Sequence, residues 1–114
     1  MKNNIILEKS SAFAVRIVNL SRHLKKNRTE AVLINQILRS GTSIAANVHE
    51  ATMAISKKEF YSKMSVALKE ARESSFWLKL LYDTNTLTDK EYCSISAECS
   101  ELEKILWSIG ESNP

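Results

Sequence analysis

Cationic side chains recur along the first 28 residues at the spacing of one helical face. Lys9, Arg16 and His23 lie seven residues apart, which is close to two helical turns. A regular row of cations can contact successive phosphates of a nucleic acid backbone. This basic column continues to Lys26 and is joined near its end by Arg22, Lys25 and Arg28. It is therefore a candidate surface for binding nucleic acid, and the residues predicted to make that contact are Lys9, Arg16, Arg22, Lys25, Lys26 and Arg28.

A solvated helix face accounts for the same residues without any nucleic acid. Cations near the C-terminus of a helix also interact favourably with the helix dipole. No aromatic side chain is interleaved with these cations, which argues against a base-stacking platform for single strands. Contact with structured RNA or another nucleic acid, and a purely solvated face, therefore stay open as alternatives.

A second polar group flanks the apolar positions of the second and third helices. Its candidate interface and register residues are Arg39, Ser43, Asn47, Glu50, Lys63, Glu70 and Trp77. The first four lie within about 80° on a helical wheel, and the last three recur at seven-residue steps. An indole beside carboxylates usually covers another group, so we expect a seam with the third helix or the next subunit. Arg39 is a candidate ion-pair partner of Glu70 or Glu73.

Further apolar side chains lie off the expected core stripes, namely Phe76, Ile105 and Trp107. A bundle of this size has little room for additional large apolar groups in its interior. Such residues indicate subunit contacts, so we expect a homo-oligomer.

The residue types that carry catalysis are sparse. His23 and His49 lie on different predicted helices, and no Glu-x-x-His pattern of the di-iron bundles accompanies them. Cys93 and Cys99 are roughly 240° apart on one helix, so they cannot pair, and we expect buried or half-buried free thiols. The sequence predicts a non-enzymatic protein with no catalytic residues, metal site, cofactor or small-molecule substrate.

Composition indicates one all-helical domain over residues 1–114. The chain has only two glycines and one proline, and the proline is its last residue. Its net charge of +3 is uneven: residues 1–50 hold eight Lys/Arg against three acids, and the rest hold eight against ten. No apolar run is long enough for a membrane span or a signal peptide, so we expect a cytoplasmic protein without a membrane partner.

Apolar periodicity predicts an antiparallel up-down-up-down four-helix bundle with helices at about 5–26, 30–55, 57–83 and 89–109. Thr29 is the expected N-cap of the second helix, and Gly110 the expected C-terminal cap of the fourth. Ser56 with Glu59 and Thr88 with Glu91 match capping boxes. The second helix either breaks at Gly41 or continues through it, and the unbroken apolar register favours continuity.

Residues 36–51, QILRSGTSIAANVHEA, strongly resemble the four helix bundle family once called S23 ribosomal protein. Its members are also described as products of intervening sequences in bacterial 23S ribosomal RNA genes. The segments 57–60, 63–64, 67–71 and 77–78 look like the third helix of that family. The resemblance covers about residues 5–109.

The resemblance implies an antiparallel four-helix bundle, commonly assembled as a ring-shaped pentamer. A related branch contains accessory proteins of diversity-generating retroelements, which are basic pentamers that bind nucleic acid and a reverse transcriptase. The charge of +3 departs from that strongly basic branch. Two functional hypotheses follow: a non-enzymatic oligomer that binds RNA or another nucleic acid, or a protein–protein adaptor or scaffold without a nucleic-acid role.

Overall fold

Four α-helices account for nearly all of the chain in a computed structural model, which describes residues 2–114 and their side chains from residue 5 onward. They are α1 Lys2–Lys26, α2 Ala31–Thr52, α3 Lys57–Asp83 and α4 Asp89–Glu111. Each helix packs on the next in the chain, and α4 closes the bundle against α1 along the least extensive of the four seams. The predicted antiparallel four-helix bundle is confirmed.

The predicted apolar stripes form the core. Phe13, Ile17, Ile44, Leu78 and Leu102 are buried with most of the stripe residues of their helices. Four others are partly buried against this core, namely Leu20, Ile34, Phe60 and Tyr92. Four buried serines interrupt this apolar interior: Ser10, Ser21, Ser40 and Ser74. A serine hydroxyl can bond to the carbonyl of the preceding turn, which satisfies it at little cost to the helix. No buried side-chain nitrogen or oxygen lacks a partner within the described side chains.

The helix α2 continues through Gly41, as the unbroken register predicts. A Cβ atom on Gly41 would lie 2.8 Å from Cγ1 and 2.9 Å from Cγ2 of Ile17 on α1. The glycine therefore lets α1 and α2 approach closely. The neighbour that a Cβ atom would meet is the side chain of Ile17, not the backbone of α1.

Two boundaries of α2 differ from the prediction. Its N-cap is Glu30, which makes no side-chain capping bond, so Thr29 is not the cap. The helix ends at Thr52, and Ile55, which continues the apolar register, is 95% exposed in the following loop. The capping signal at Ser56 explains this early end, because the chain must leave one helix before it can cap the next.

The predicted caps of α3 and α4 are confirmed in part. The Thr88 hydroxyl accepts from the Glu91 N–H at 3.1 Å, and the Glu91 carboxylate accepts from the Thr88 N–H at 2.8 Å, which completes a capping box. At α3 the Ser56 hydroxyl accepts from the Glu59 N–H, but the Glu59 carboxylate accepts from Ile55 instead of Ser56. Gly110 lies inside α4 and is not its cap, since α4 runs on to Glu111.

Candidate functional site: the cationic end of α1

The upper part of the basic column is paired within the chain. Lys9 Nζ lies 3.1 Å from Oε1 of Glu101 on α4, and Arg16 Nη1 lies 2.6 Å from Oε1 of Glu98. Arg16 also donates to the hydroxyl of Ser94 at 2.9 Å. These contacts join α1 to α4, so both cations are partly neutralised by carboxylates of the same molecule.

His23 continues this row of contacts. Its Nε2 lies 3.8 Å from Oε2 of Glu91 and 3.2 Å from Nδ2 of Asn27. The hydrogen bond that Glu91 accepts from the Thr88 backbone N–H is the main cause that lowers the pKa of its carboxyl group. Glu91 is therefore an anion near neutral pH and a suitable neighbour for a cation on α1.

The acidic residues that these cations contact on α4 were not among the residues predicted from the sequence. Glu91, Glu98 and Glu101 are spaced by seven and three residues, the same helical periodicity that identified the basic column. Because α1 and α4 are antiparallel neighbours, two columns of opposite charge meet along their seam. The matching spacing of the basic residues on α1 and the acidic residues on α4 is therefore the sequence signal from which these ion pairs could have been predicted.

Four cations at the end of α1 have a different environment. Arg22, Lys25, Lys26 and Arg28 are exposed, and none forms an ion pair within the part of the chain that the structure describes. They lie within seven consecutive residues at the α1–α2 turn. We call these four residues the turn cluster. The partial negative charge at the helix C-terminus stabilises cations here, but it is too small to neutralise them.

Arg28 gives the turn its geometry. Its φ angle is 61°, in the left-handed region. The Arg28 N–H bonds to the Lys25 carbonyl at 3.1 Å, and the Thr29 N–H bonds to the Leu24 carbonyl at 3.0 Å. This bond pattern is a Schellman motif in which Arg28 takes the position that glycine usually occupies. The backbone of Arg28 is therefore fixed beyond the last turn of α1, and its exposed side chain projects from there.

The second group of predicted site residues lies along the seam between α2 and α3. Arg39 contacts the carboxylates of Glu70, at 3.0 Å, and of Glu73. Trp77 Nε1 donates to Glu73 at 3.1 Å. The Glu70 side chain is 14% exposed whereas that of Arg39 is 52% exposed, so the carboxylate of this pair is largely buried and the guanidinium is exposed.

Glu50 and Lys63 form a second pair on this seam, at 2.8 Å. Their hydrogen bond lowers the pKa of Glu50 and raises that of Lys63. Ser43 and Asn47 do not bond to α3. The Asn47 amide donates to the carbonyl and to the hydroxyl of Ser43, at 2.9 and 3.1 Å, within α2.

Aromatic side chains lie outside the core on α3 and α4. Phe76 is 57% exposed and Trp107 is 54% exposed, whereas Ile105 is half-buried against the core. The Phe76 and Trp77 rings meet edge to face with centroids 4.9 Å apart, and Arg72 lies over the Trp107 ring at 5.8 Å. Packing within a single chain therefore leaves the Phe76 and Trp107 side chains as exposed apolar surface.

The described side chains contain no group of three or more His, Cys, Asp or Glu that could hold a metal ion. Cys99 is buried, and burial raises the pKa of its thiol to about 12. Cys93 is exposed, so the prediction that both thiols are at least half-buried is wrong for Cys93. No helix within the described residues is both long enough and apolar enough to cross a membrane.

Comparison with known proteins identifies similar chains. A family model described as "23S rRNA-intervening sequence protein" matches residues 2–108. A crystal structure of a protein of unknown function from the S23 ribosomal protein family of Bacteroides thetaiotaomicron has a TM-score of 0.95 and 47% sequence identity. The match covers 98% of this chain and 100% of that one. A search of curated proteins finds no significant match.

Proposed function

Because this chain belongs to the 23S rRNA-intervening sequence protein family, we propose that it is a non-catalytic, cytoplasmic helical bundle that binds RNA through the turn cluster. The observation that carries this proposal is the contrast along α1. Lys9 and Arg16 are paired with carboxylates of α4, whereas the turn cluster has no anionic partner within the described residues. Exposed, unpaired cations are the groups that bind phosphates.

The strained position of Arg28 supports the same proposal. Glycine would adopt its backbone conformation at lower cost, and a residue held in a costly conformation can indicate a functional constraint. A guanidinium group at this position can bind a phosphate through two N–H donors. The turn therefore presents an arginine where folding alone would favour glycine.

Assembly would strengthen binding. We propose a homo-oligomer, for which the family resemblance suggests a pentamer, with one turn cluster from each subunit. Several clusters on one particle would make later phosphate contacts intramolecular and raise the effective concentration of each site. A modest charge of +3 per chain is then multiplied across the assembly.

Paired lysine substitutions at opposite ends of the bundle test RNA binding. Lys25→Ala with Lys26→Ala removes two charges from the turn cluster. Lys57→Ala with Lys58→Ala removes the same two charges from the start of α3, where both lysines are exposed. Binding of a labelled 23S ribosomal RNA hairpin is followed by fluorescence anisotropy between about 50 and 200 mM salt.

We expect the Lys25/Lys26 variant to bind more weakly and to reduce the slope of log K against log salt by about two, because two phosphate contacts are lost. The Lys57/Lys58 variant should retain the wild-type slope. Equal losses of RNA affinity in both variants would show that net charge, not the turn cluster, governs binding. No binding by the wild type at low salt would eliminate the proposed function.

The exposed aromatic groups favour a second candidate, a protein–protein adaptor without an RNA role. Phe76 and Trp107 together present apolar surface of the kind found at interfaces. Under this alternative a protein would be retained by immobilised wild-type chain but not by a Phe76→Asp variant, and ribonuclease treatment would leave its capture unchanged.

A further inference from the structure

A groove opens between α1 and α4 next to the turn cluster. Its volume is about 290 Å³, and its floor is formed by Leu20, Leu87 and Ile95. Leu87 and Ile95 belong to the core, whereas Leu20 is only partly covered. Such a groove is near the small end of the range for ligand sites, and its apolar floor suits a flat ring.

Most polar groups on the rim of the groove are already occupied. Arg16 is held by Glu98 and Ser94, and Glu91 accepts from the Thr88 N–H. Asn19 differs, because it is exposed and makes no hydrogen bond within the described residues. Its amide offers one acceptor and two donor hydrogens at the mouth of the groove.

Charge complementarity indicates the occupant. Arg22 and Lys26 follow Asn19 by three and seven residues and therefore lie on the same face of α1. A nucleotide whose phosphates contact these cations would bring its base close to the amide and the apolar floor. An asparagine amide pairs with the edge of adenine through two hydrogen bonds.

We propose that the groove receives an unpaired adenine of the bound RNA, so that the protein selects RNA with a bulge or loop over a fully paired duplex. This inference rests on the RNA binding proposed above. Bases stacked inside an A-form duplex are inaccessible to such a groove, whereas the unstacked bases of bulges and loops can enter it. The turn cluster supplies sequence-independent affinity, and the groove supplies selectivity.

Two labelled RNA hairpins of equal charge test the inference. One carries a single unpaired adenine in the middle of its stem, the other is fully paired, and both are closed by the same loop without adenine. The variant is Asn19→Ala, and the control is Asn35→Ala, which removes an exposed amide without a hydrogen bond on α2. Alanine favours the helix at both positions, and circular dichroism verifies the fold.

We expect the wild type and Asn35→Ala to bind the bulged hairpin about tenfold more tightly than the paired hairpin. Asn19→Ala should remove this preference, whereas Lys25→Ala should weaken the binding of both RNAs by the same factor.

Each alternative result has a separate meaning. Equal wild-type affinity for the two hairpins, or an unchanged preference in Asn19→Ala, would overturn the groove inference and leave RNA binding by the turn cluster intact. No binding of either hairpin by the wild type would overturn both proposals.

Discussion

Arg28 and Asn85 occupy the same kind of position at the ends of two helices. Their φ angles are 61° and 60°, and both complete Schellman motifs. Asparagine tolerates this conformation better than most residues, because its short polar side chain can bond to nearby backbone, whereas arginine in this conformation costs about 1–2 kcal/mol relative to glycine. The α1–α2 turn therefore contains a residue that reduces stability and places a cation.

Replacing Arg28 by glycine should separate these two effects. We expect Arg28→Gly to raise the free energy of unfolding by about 1 kcal/mol, because glycine relieves the left-handed strain. RNA affinity should fall, with a salt slope smaller by about one. Urea denaturation and anisotropy measure the two quantities.

Asn85→Gly is the matched control, since it relieves the same conformation at a turn without the cluster. Its RNA affinity should be unchanged, and its gain in stability should be smaller. Loss of stability in Arg28→Gly would contradict the account of the strain at this turn.

Gly41 presents the opposite case, in which glycine is required by packing. We expect Gly41→Ala to lower the free energy of unfolding by about 1–2 kcal/mol. Overpacking against Ile17, whose Cγ1 would lie 2.8 Å from the new Cβ, costs about 1–3 kcal/mol and outweighs a helix-propensity gain of up to about 1.

Gly110→Ala is the control for this prediction, because a Cβ there meets nothing within 4 Å. It should be neutral or stabilising in the same thermal or urea unfolding experiment. A Gly41→Ala variant as stable as the wild type would show that Ile17 can move aside.

At the scale of the helices, periodicity predicts most of the fold. The apolar stripes and the capping box of Thr88 and Glu91 are predicted from residue types at fixed spacing, and the structure confirms them. Helix ends are harder to predict, because the path of the chain between helices also determines them. It places the N-cap of α2 at Glu30 and leaves Ile55 in the loop after that helix. The partners of surface charges depend on which faces meet. Arg39 meets Glu70 across a seam, whereas Asn47 bonds back to Ser43.

The stability that the capping box at the first turn of α4 contributes should depend on pH. Binding of the Glu91 carboxylate by the Thr88 N–H lowers its pKa below the ordinary value of 4.5. A lowered folded pKa gives stability that is present above that ordinary value and is lost as the pH falls through the folded value. We therefore expect Glu91→Gln to lose less stability than the wild type between about pH 5 and pH 3.

Urea unfolding at several pH values measures this difference. Thr88→Ala is the control, because it removes the hydroxyl cap and costs about 1 kcal/mol while leaving the Glu91 carboxylate and its backbone donor in place. Its stability should be lower at every pH and should keep most of the wild-type pH dependence, because the backbone N–H of Thr88, the largest cause of the lowered Glu91 pKa, remains. If the free energy of unfolding changed with pH in the same way for Glu91→Gln and the wild type, the prediction would be contradicted.

At the scale of the whole molecule, the turn cluster and the exposed aromatic residues occupy different helices. The turn cluster lies at the end of α1, whereas Phe76 and Trp107 project from α3 and α4. Assembly through the aromatic surface would therefore leave the cations accessible. This separation makes oligomerisation and RNA binding compatible in one particle and separable by mutation.

We expect light scattering to give a mass several times the 12.9 kDa of one chain. Phe76→Asp with Trp107→Ala should shift that mass toward the monomer, because it removes the large side chains that dominate interface energies. Val32→Asp, at an exposed apolar position in the first turn of α2, is the control and should remain assembled. The dissociated variant should also bind RNA more weakly with its turn cluster intact, since multivalency is lost. A wild-type species of only 12.9 kDa would show that these aromatic residues do not mediate self-association.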